Sequence, residues 1–292
     1  MDNTLRSMKA LAAGAGSMKP TIGRLLMDDG KLTAADVDRI LLLQKQKPMR
    51  FGEAALLLGV VKDADVQHAL ARQFDYCFLR PGAGGLAPEL ATVYRPFSRE
   101  TERMRSLRAR LARTWFAGGR AELAASAVNQ GDGVSLLVAN LAVCFAQQGA
   151  RTLLVDANLR RPRQHAIFNL RARHGLADAL AGRAGTEAIV ELDIVPSLSV
   201  LCAGTPPPNP QELLGRPAFD ALRARLRPRY DVILYDTPPV SLTDDAFAVA
   251  GRAGAVLVVA RQHRTSVSDM RALSAHLHAG GIEIAGAVLN DF

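Results

Sequence analysis

Residues 123–148 read LAASAVNQGDGVSLLVANLAVCFAQQ and join an apolar run, a glycine-containing loop and a second apolar run. The first run, residues 123–128, predicts a buried strand, and residues 136–148 predict a helix that Gly149 ends. A glycine loop between a strand and a helix gathers backbone N–H groups around a phosphate at the positive end of the helix. The stretch therefore predicts a phosphate-binding loop at residues 129–135.

Two later apolar runs end in a carboxylate, residues 152–156 at Asp156 and residues 232–236 at Asp236. Apolar runs alternate with helical patterns along residues 98–292, which is typical of a parallel sheet covered on both faces. In such a sheet both carboxylates emerge at the carboxyl edge, where ligands bind. The sequence predicts an α/β fold, the doubly wound parallel sheet of a P-loop NTPase.

The loop and the two carboxylates together predict a site for ATP and Mg²⁺. Ser135 occupies the position at which a P-loop hydroxyl meets the metal ion. Asp156 and Asp236 end two apolar runs, and both are expected at the carboxyl edge of the sheet, next to this loop. The candidate metal ligands are therefore Ser135, Asp156 and Asp236.

Four stretches resemble the cytoplasmic tyrosine kinases that regulate capsule and exopolysaccharide chain length in bacteria. They are residues 126–168, PPNPQELL at 207–214, YDVILYDTPPV at 230–240 and the ending VLNDF. The chain resembles the EpsG type of chain-length-determinant kinase, whose fold is ParA/MinD-like. The resemblance implies an ATP-dependent enzyme that phosphorylates tyrosines between neighbouring subunits, with Asp156 and Asp236 as catalytic residues. It also implies a membrane partner, the chain-length-determinant protein or polysaccharide co-polymerase, which holds the kinase at the inner membrane.

The resemblance assigns nucleotide contacts to the loop and to one residue near the end of the sequence: Gly131, Asp132, Gly133, Val134, Ser135, Leu136 and Asn290. Glu102, Arg105 and Arg108 are spaced by three, so they share one helical face. They match the Glu-x-x-Arg-x-x-Arg motif that these kinases use for ring assembly, which predicts a homo-oligomer. The same spacing is also typical of a solvated basic face.

Three departures from the family pattern bear on activity. Val134 stands at the position of the phosphate-binding lysine, and no lysine follows Lys62. Asn158 replaces the second aspartate of the family's Asp-x-Asp motif. No tyrosine cluster follows the kinase-like region, since the tyrosines are Tyr76, Tyr94, Tyr230 and Tyr235. We expect weak ATP binding, with Arg160 or Arg161 as candidate replacements for the lysine.

An internal repeat occupies the first eighty residues, because residues 22–44 and 51–73 share a pattern at an offset of 29 residues. Each copy predicts a short helix, a glycine turn and a longer helix, with Thr33 and Asp63 as N-caps. The repeat resembles the N-terminal domain of type II secretion ATPases, the MshE N-terminal domain, some members of which bind cyclic di-GMP. The candidate ligand residues are Gly23, Arg50 and Gly52. A helical adaptor that docks a partner is the alternative.

The predicted organisation is a flexible segment at residues 1–20, helical repeats at 21–80, a Gly/Pro-rich linker at 81–97 and the kinase-like domain at 98–292. The net charge of +8 allows an acidic partner without selecting one, and we expect no nucleic acid. No apolar segment is long enough to span a bilayer or to form a signal peptide, which predicts a cytoplasmic location. Cys77, Cys144 and Cys202 lack metal-binding spacing and predict buried, reduced thiols.

Several interpretations of function remain open from the sequence. The first is a slow tyrosine kinase of an exopolysaccharide system. The second is a pseudokinase scaffold that acts through assembly alone. The third is a cyclic di-GMP receptor whose output domain is a degenerate ATPase. A MinD-like positioning ATPase is a weaker alternative, since the second P-loop lysine of that class is also absent.

Overall fold

The computed structural model describes residues 20–74, 78–79 and 82–291, which belong to two units, Met1–Arg80 and Pro81–Phe292. The predicted flexible segment falls almost wholly on residues 1–19, outside the described residues. Tyr76 and Cys77 also lie outside them. Cys144 and Cys202 are free and buried, as predicted for these two thiols.

Four helices form the described part of the first unit, and they follow the predicted order of short and long helices in each repeat. Their bounds are α1 Ile22–Asp28, α2 Ala34–Gln46, α3 Phe51–Leu57 and α4 Asp63–Gln73. Thr33 caps α2, because its hydroxyl accepts a hydrogen bond from the Asp36 backbone N–H at 3.2 Å. The prediction for α4 was wrong by one residue: Lys62 is the N-cap, and its N–H donates to the Asp65 carboxylate at 3.2 Å.

The two glycines named as candidate ligand residues lie inside helices. Gly23 is the second residue of α1, and Gly52 is the second residue of α3. A Cβ on Gly52 would lie 2.9 Å from Cγ1 of Val66, and a Cβ on Gly23 would lie 3.0 Å from the Phe51 ring. Both positions therefore allow helices to approach closely, which only a residue without a side chain permits.

The segment predicted to be a linker, residues 81–97, is instead packed into the second unit over its described part. It contains the short helix α5 Ala91–Tyr94, all of whose residues are buried. The N–H and hydroxyl of Thr92 donate to the Asn140 side-chain oxygen at 3.1 and 2.9 Å. Glycine and proline composition suggested a linker, but apolar Leu86 and Leu90 are buried. Burial of these side chains overrides the local turn signal.

A seven-stranded sheet forms the centre of the second unit, in the order β3-β4-β2-β5-β1-β6-β7. All described pairings are parallel except that of β3 with β4. The predicted α/β fold with a parallel sheet is therefore confirmed. The strand bounds are β1 Glu122–Ala127, β2 Thr152–Asp156, β3 Val190–Glu191, β4 Leu198–Leu201, β5 Val232–Asp236, β6 Ala255–Arg261 and β7 Glu283–Asn290.

Helices connect these strands and cover the sheet, and β1, β2 and β5 are buried along their whole length. The short helices α9 and α10 and the strand β3 were not predicted. In the described part of the chain, no helix has the length and apolar character required to cross a membrane. The helix bounds are α6 Arg99–Thr114, α7 Val134–Ala146, α8 Gln164–Ile167, α9 Leu176–Leu180, α10 Pro210–Gly215, α11 Pro217–Leu226, α12 Asp245–Ala253 and α13 Val267–Ala279.

Candidate nucleotide site

The loop between β1 and α7 has the backbone conformation of a phosphate-binding turn. Gly131 and Gly133 adopt φ values of 87° and 93°, in the left-handed region that favours glycine. The helix begins at Val134, directly after Gly133. The first-turn N–H groups of α7, including that of Leu136, have no partner within the helix and carry its positive end. These donors form an anion site independently of the side chain at residue 134.

Side chains from other elements hold this loop in place. The Asp132 carboxylate accepts hydrogen bonds from the Asn129 backbone N–H at 3.1 Å and from the Thr265 hydroxyl at 3.0 Å. The Asn290 side-chain amide donates to the Asp132 carbonyl oxygen at 2.7 Å. Asn290, predicted to lie near the nucleotide base, therefore contacts the loop backbone from the end of β7. A base contact by Asn290 stays a prediction.

A cavity of about 310 Å³ opens beside the loop. The structure brings most of the predicted nucleotide contacts to its wall, together with the start of the segment after β5 and an arginine-rich turn after β2. The lining residues are Asn129, Gln130, Gly131, Asp132, Gly133, Val134, Ser135, Leu136, Asn158, Arg160, Arg161, Arg163, Thr237, Pro238, Pro239 and Leu242.

The two predicted carboxylates lie side by side below this edge of the sheet. Asp156 and Asp236 end the neighbouring strands β2 and β5 and are partners in their register. Both are fully buried. Burial raises the pKa of both carboxyl groups, and the negative charge of Asp236 adds to the rise at Asp156. Hydrogen bonds from the side chains of Ser135 and Gln164 oppose the pKa rise at Asp236.

Gln164 connects the loop to the carboxylates, although the sequence did not single it out. Its side-chain amide donates to the Ser135 carbonyl at 3.1 Å and to Oδ2 of Asp236 at 2.7 Å. Its backbone N–H donates to Oδ2 of Asp156 at 2.9 Å. The one feature of the sequence that could have indicated this role is the position of Gln164, eight residues after Asp156 in the segment that follows β2.

The donor set fits a hard divalent cation. Oδ1 of Asp236 is buried without a hydrogen-bond partner in the structure, and Ser135 presents its hydroxyl to this carboxylate. Mg²⁺ prefers oxygen ligands, and one or two carboxylates with substrate phosphates are its usual partners. The described residues contain no group of three or more His, Cys, Asp or Glu arranged for a metal ion. The candidate ligands Ser135, Asp156 and Asp236 therefore suit a metal shared with phosphate.

The arginines near the cavity differ in their partners. Arg160 makes a forked ion pair with the buried Asp245 of α12, with N···O distances of 2.7 and 3.2 Å. Arg161 and Arg163 line the cavity and are exposed. Arg161 is one of the two predicted replacements for the lysine. Arg163 was not predicted.

The face predicted to direct oligomer assembly is only partly exposed. Nη1 of Arg105 lies 3.3 Å from the Glu102 carboxylate. The Arg105 side chain is 16% exposed, whereas that of Glu102 is 68% exposed. Arg108 donates to the Cys144 carbonyl of α7 at 3.3 Å. Two of the three residues thus also stabilise the domain itself, and their role in assembly stays a prediction.

The described tyrosines are all buried. Tyr235 lies within β5 and donates its hydroxyl to the Glu122 carboxylate at 2.9 Å. Tyr94 donates to the carbonyls of Ala83 and Leu86, both at 3.0 Å. Tyr230 is 7% exposed. None of these three hydroxyls is presented for phosphorylation in this structure.

The fold and the site together define a P-loop nucleotide-binding domain. No protein-family model matches the chain. The chain is 34% identical over 160 residues to the tyrosine-protein kinase YwqD of Bacillus subtilis, covering 55% of this chain and 68% of YwqD. It is 37% identical over 189 residues to EpsB of Ralstonia nicotianae, named as a tyrosine-protein kinase, covering 65% of this chain and 25% of EpsB.

The chain therefore belongs to the family of bacterial tyrosine-protein kinases. It spans about a quarter of the length of EpsB. Among solved structures, the kinase domain of the Escherichia coli tyrosine kinase ETK superposes with a TM-score of 0.68 at 29% identity. That superposition covers 73% of this chain and 82% of the ETK domain.

Proposed function

We propose that this chain is an EpsG-like cytoplasmic kinase component of an exopolysaccharide chain-length and export system, with weakened phosphoryl transfer. The observation that carries the proposal is the pair Asp156 and Asp236, which meet in register beside a phosphate-binding loop in a member of the tyrosine-kinase family. The resemblance to the EpsG type, which covers nearly the whole chain, supports the assignment to an exopolysaccharide system.

The residues present would hold Mg-ATP by backbone and carboxylate groups. The loop N–H groups and the start of α7 face phosphate, while Ser135, Asp156 and Asp236 hold the metal ion. Bound Mg-ATP supplies the phosphoryl group, and the metal neutralises charge that develops on it. Val134 adds no positive charge to the wall of the cavity. Asn158 leaves Asp156 as the one carboxylate of its motif to accept a proton from a tyrosine.

The substrate tyrosine and the partners follow from the family resemblance. The described tyrosines are buried, so the acceptor is a tyrosine on another chain or Tyr76, which lies outside the described residues. The proposed partner is a membrane chain-length-determinant protein, which places this chain at the inner membrane. Exposed Glu102 on α6 is available for contact with a second copy.

A pseudokinase scaffold is the second candidate, and Val134 is the observation that favours it. Phosphoryl transfer depends on cations that stabilise negative charge in the transition state. A site that retains backbone donors but lacks the lysine binds nucleotide better than it catalyses transfer. Assembly with the membrane partner would then be the function, with nucleotide as a structural ligand.

The test compares the parent with the double substitution Val134→Lys and Asn158→Asp. Mg-ATP binding is measured by calorimetry, and tyrosine phosphorylation is measured with the membrane partner's cytoplasmic tail present. A kinase with weakened transfer binds Mg-ATP and phosphorylates slowly, and the double variant is faster by at least tenfold. Binding without phosphorylation in the parent supports the scaffold. Failure of both proteins to bind Mg-ATP at millimolar concentration contradicts both candidates.

A further inference from the structure

The cavity beside the phosphate loop keeps positive charge although residue 134 is apolar. Three arginines on the turn after β2 line it: Arg160, Arg161 and Arg163. A nucleotide triphosphate needs a cation near its β- and γ-phosphates, and arginine matches phosphate geometry with two parallel N–H donors. One of these side chains is therefore placed to do what the lysine does in a standard P-loop.

Arg160 is already committed to another partner. Nε and Nη2 of Arg160 both donate to the carboxylate of Asp245, which is fully buried at the start of α12. Moving Arg160 to a phosphate would leave a buried carboxylate unpaired, which is strongly unfavourable. Arg161 and Arg163 make no side-chain hydrogen bond or ion pair with other residues that the structure describes. They can therefore turn to a ligand without breaking an internal contact.

Arg163 has the better fixed position of the two. Its backbone N–H donates to Oδ2 of Asp156 at 3.0 Å. The next residue, Gln164, is bonded to Asp156, Asp236 and the Ser135 carbonyl. The backbone of Arg163 is thus anchored to Asp156, next to a residue that contacts Asp236 and the phosphate loop, while its side chain is exposed at the cavity.

We propose that Arg163 supplies the positive charge to the β- and γ-phosphates of the bound nucleotide. The ligand in this inference rests on the proposed function, and the residue assignment rests on the cavity and its hydrogen bonds. The proposal makes Arg163 a binding residue that reaches the phosphates from the turn after β2, whereas the lysine it replaces would stand on the phosphate loop.

The experiment is Mg-ATP binding by calorimetry on the full chain, with no turnover required. Loss of a charge-assisted hydrogen bond predicts that Arg163→Ala binds about tenfold to a hundredfold more weakly than the parent. Arg163→Lys keeps the charge and is expected to lose less than Arg163→Ala. The matched control is Arg173→Ala, which removes the same charge from an exposed position outside the cavity and should bind as the parent does. Equal thermal melting of these variants excludes misfolding.

A second measurement asks whether residues 134 and 163 serve the same purpose. Adding Val134→Lys to Arg163→Ala should recover at least the affinity of the parent. The inference is overturned if Arg163→Ala binds like the parent, or if Arg161→Ala shows the loss and Arg163→Ala does not. If the parent binds Mg-ATP, the nucleotide site of the proposed function stands, whichever of these variants loses affinity. A parent that fails to bind Mg-ATP overturns both the inference and the nucleotide site of the proposed function.

Discussion

The buried carboxylate pair predicts that the protein without Mg²⁺ loses stability as pH rises. Asp156 and Asp236 are fully buried and adjacent, and burial raises the pKa of each above its value in an unfolded chain, about 4. A carboxyl group with a raised folded-state pKa binds protons more tightly when folded. Its contribution to stability is therefore fully present below about pH 4 and is lost as pH rises through the folded-state pKa.

Asp236→Asn isolates this effect, because the amide has the shape of the carboxylate without its charge. The amide oxygen can still accept the hydrogen bond that Gln164 donates at 2.7 Å. Each unit by which a folded-state pKa is raised corresponds to about 1.4 kcal/mol. We expect the variant to exceed the parent by about 1–3 kcal/mol in free energy of unfolding at pH 8, with little difference near pH 4.

Urea unfolding at pH 4.5, 6 and 8 in EDTA measures the free energy directly. The matched control is Asp193→Asn at an exposed aspartate, for which we expect no pH-dependent gain. A gain for Asp236→Asn that is the same at every pH would refute the electrostatic explanation. A variant less stable than the parent at pH 8 would show that the carboxylate stabilises the fold.

Gly52→Ala should lower the free energy of unfolding of the first unit by about 1–3 kcal/mol, and its melting temperature with it, because the added Cβ would lie 2.9 Å from Cγ1 of Val66. An unchanged melting curve by circular dichroism contradicts this packing. Glu102→Arg should reduce the mass measured by light scattering if α6 mediates assembly, since Glu102 is exposed and the change spares the domain interior; an oligomeric variant removes this residue from the interface. Calorimetry of the full chain with cyclic di-GMP should give binding that Arg50→Ala abolishes; absence of heat at high micromolar ligand leaves the adaptor interpretation.

The sheet and the phosphate loop were predictable because each rests on a local pattern. Buried parallel strands are apolar throughout, so residues 152–156 and 232–236 were predicted at the bounds that the structure gives. The glycine positions of the loop demand a backbone that few other residues adopt, and Gly131 and Gly133 adopt it. The 29-residue repeat likewise predicts the order of the four helices that the structure describes between residues 22 and 73.

The errors arose where a distant contact decides the structure. Residues 82–97 carry glycine and proline like a linker, but Thr92 is hydrogen-bonded to Asn140, which is 48 positions away. The roles of Gly23 and Gly52 likewise depend on distant side chains, those of Phe51 and Val66, which lie on other helices. A pattern read along the chain contains no information about which distant side chain will fill the space beside a glycine.

The missing lysine illustrates why a site should be judged by the whole cavity. The loop is fixed by Asn129, Thr265 and Asn290, none of which depends on residue 134. The anion-binding donors are backbone groups, and they persist with valine at the start of α7. Valine at residue 134 therefore removes one positive charge from the site but leaves the geometry of its backbone donors unchanged. Because Arg163 is attached to the same carboxylate that ends β2, its position is fixed by the fold and not by the loop. Positive charge can thus move from the loop to the neighbouring turn while the phosphate-binding backbone remains unchanged.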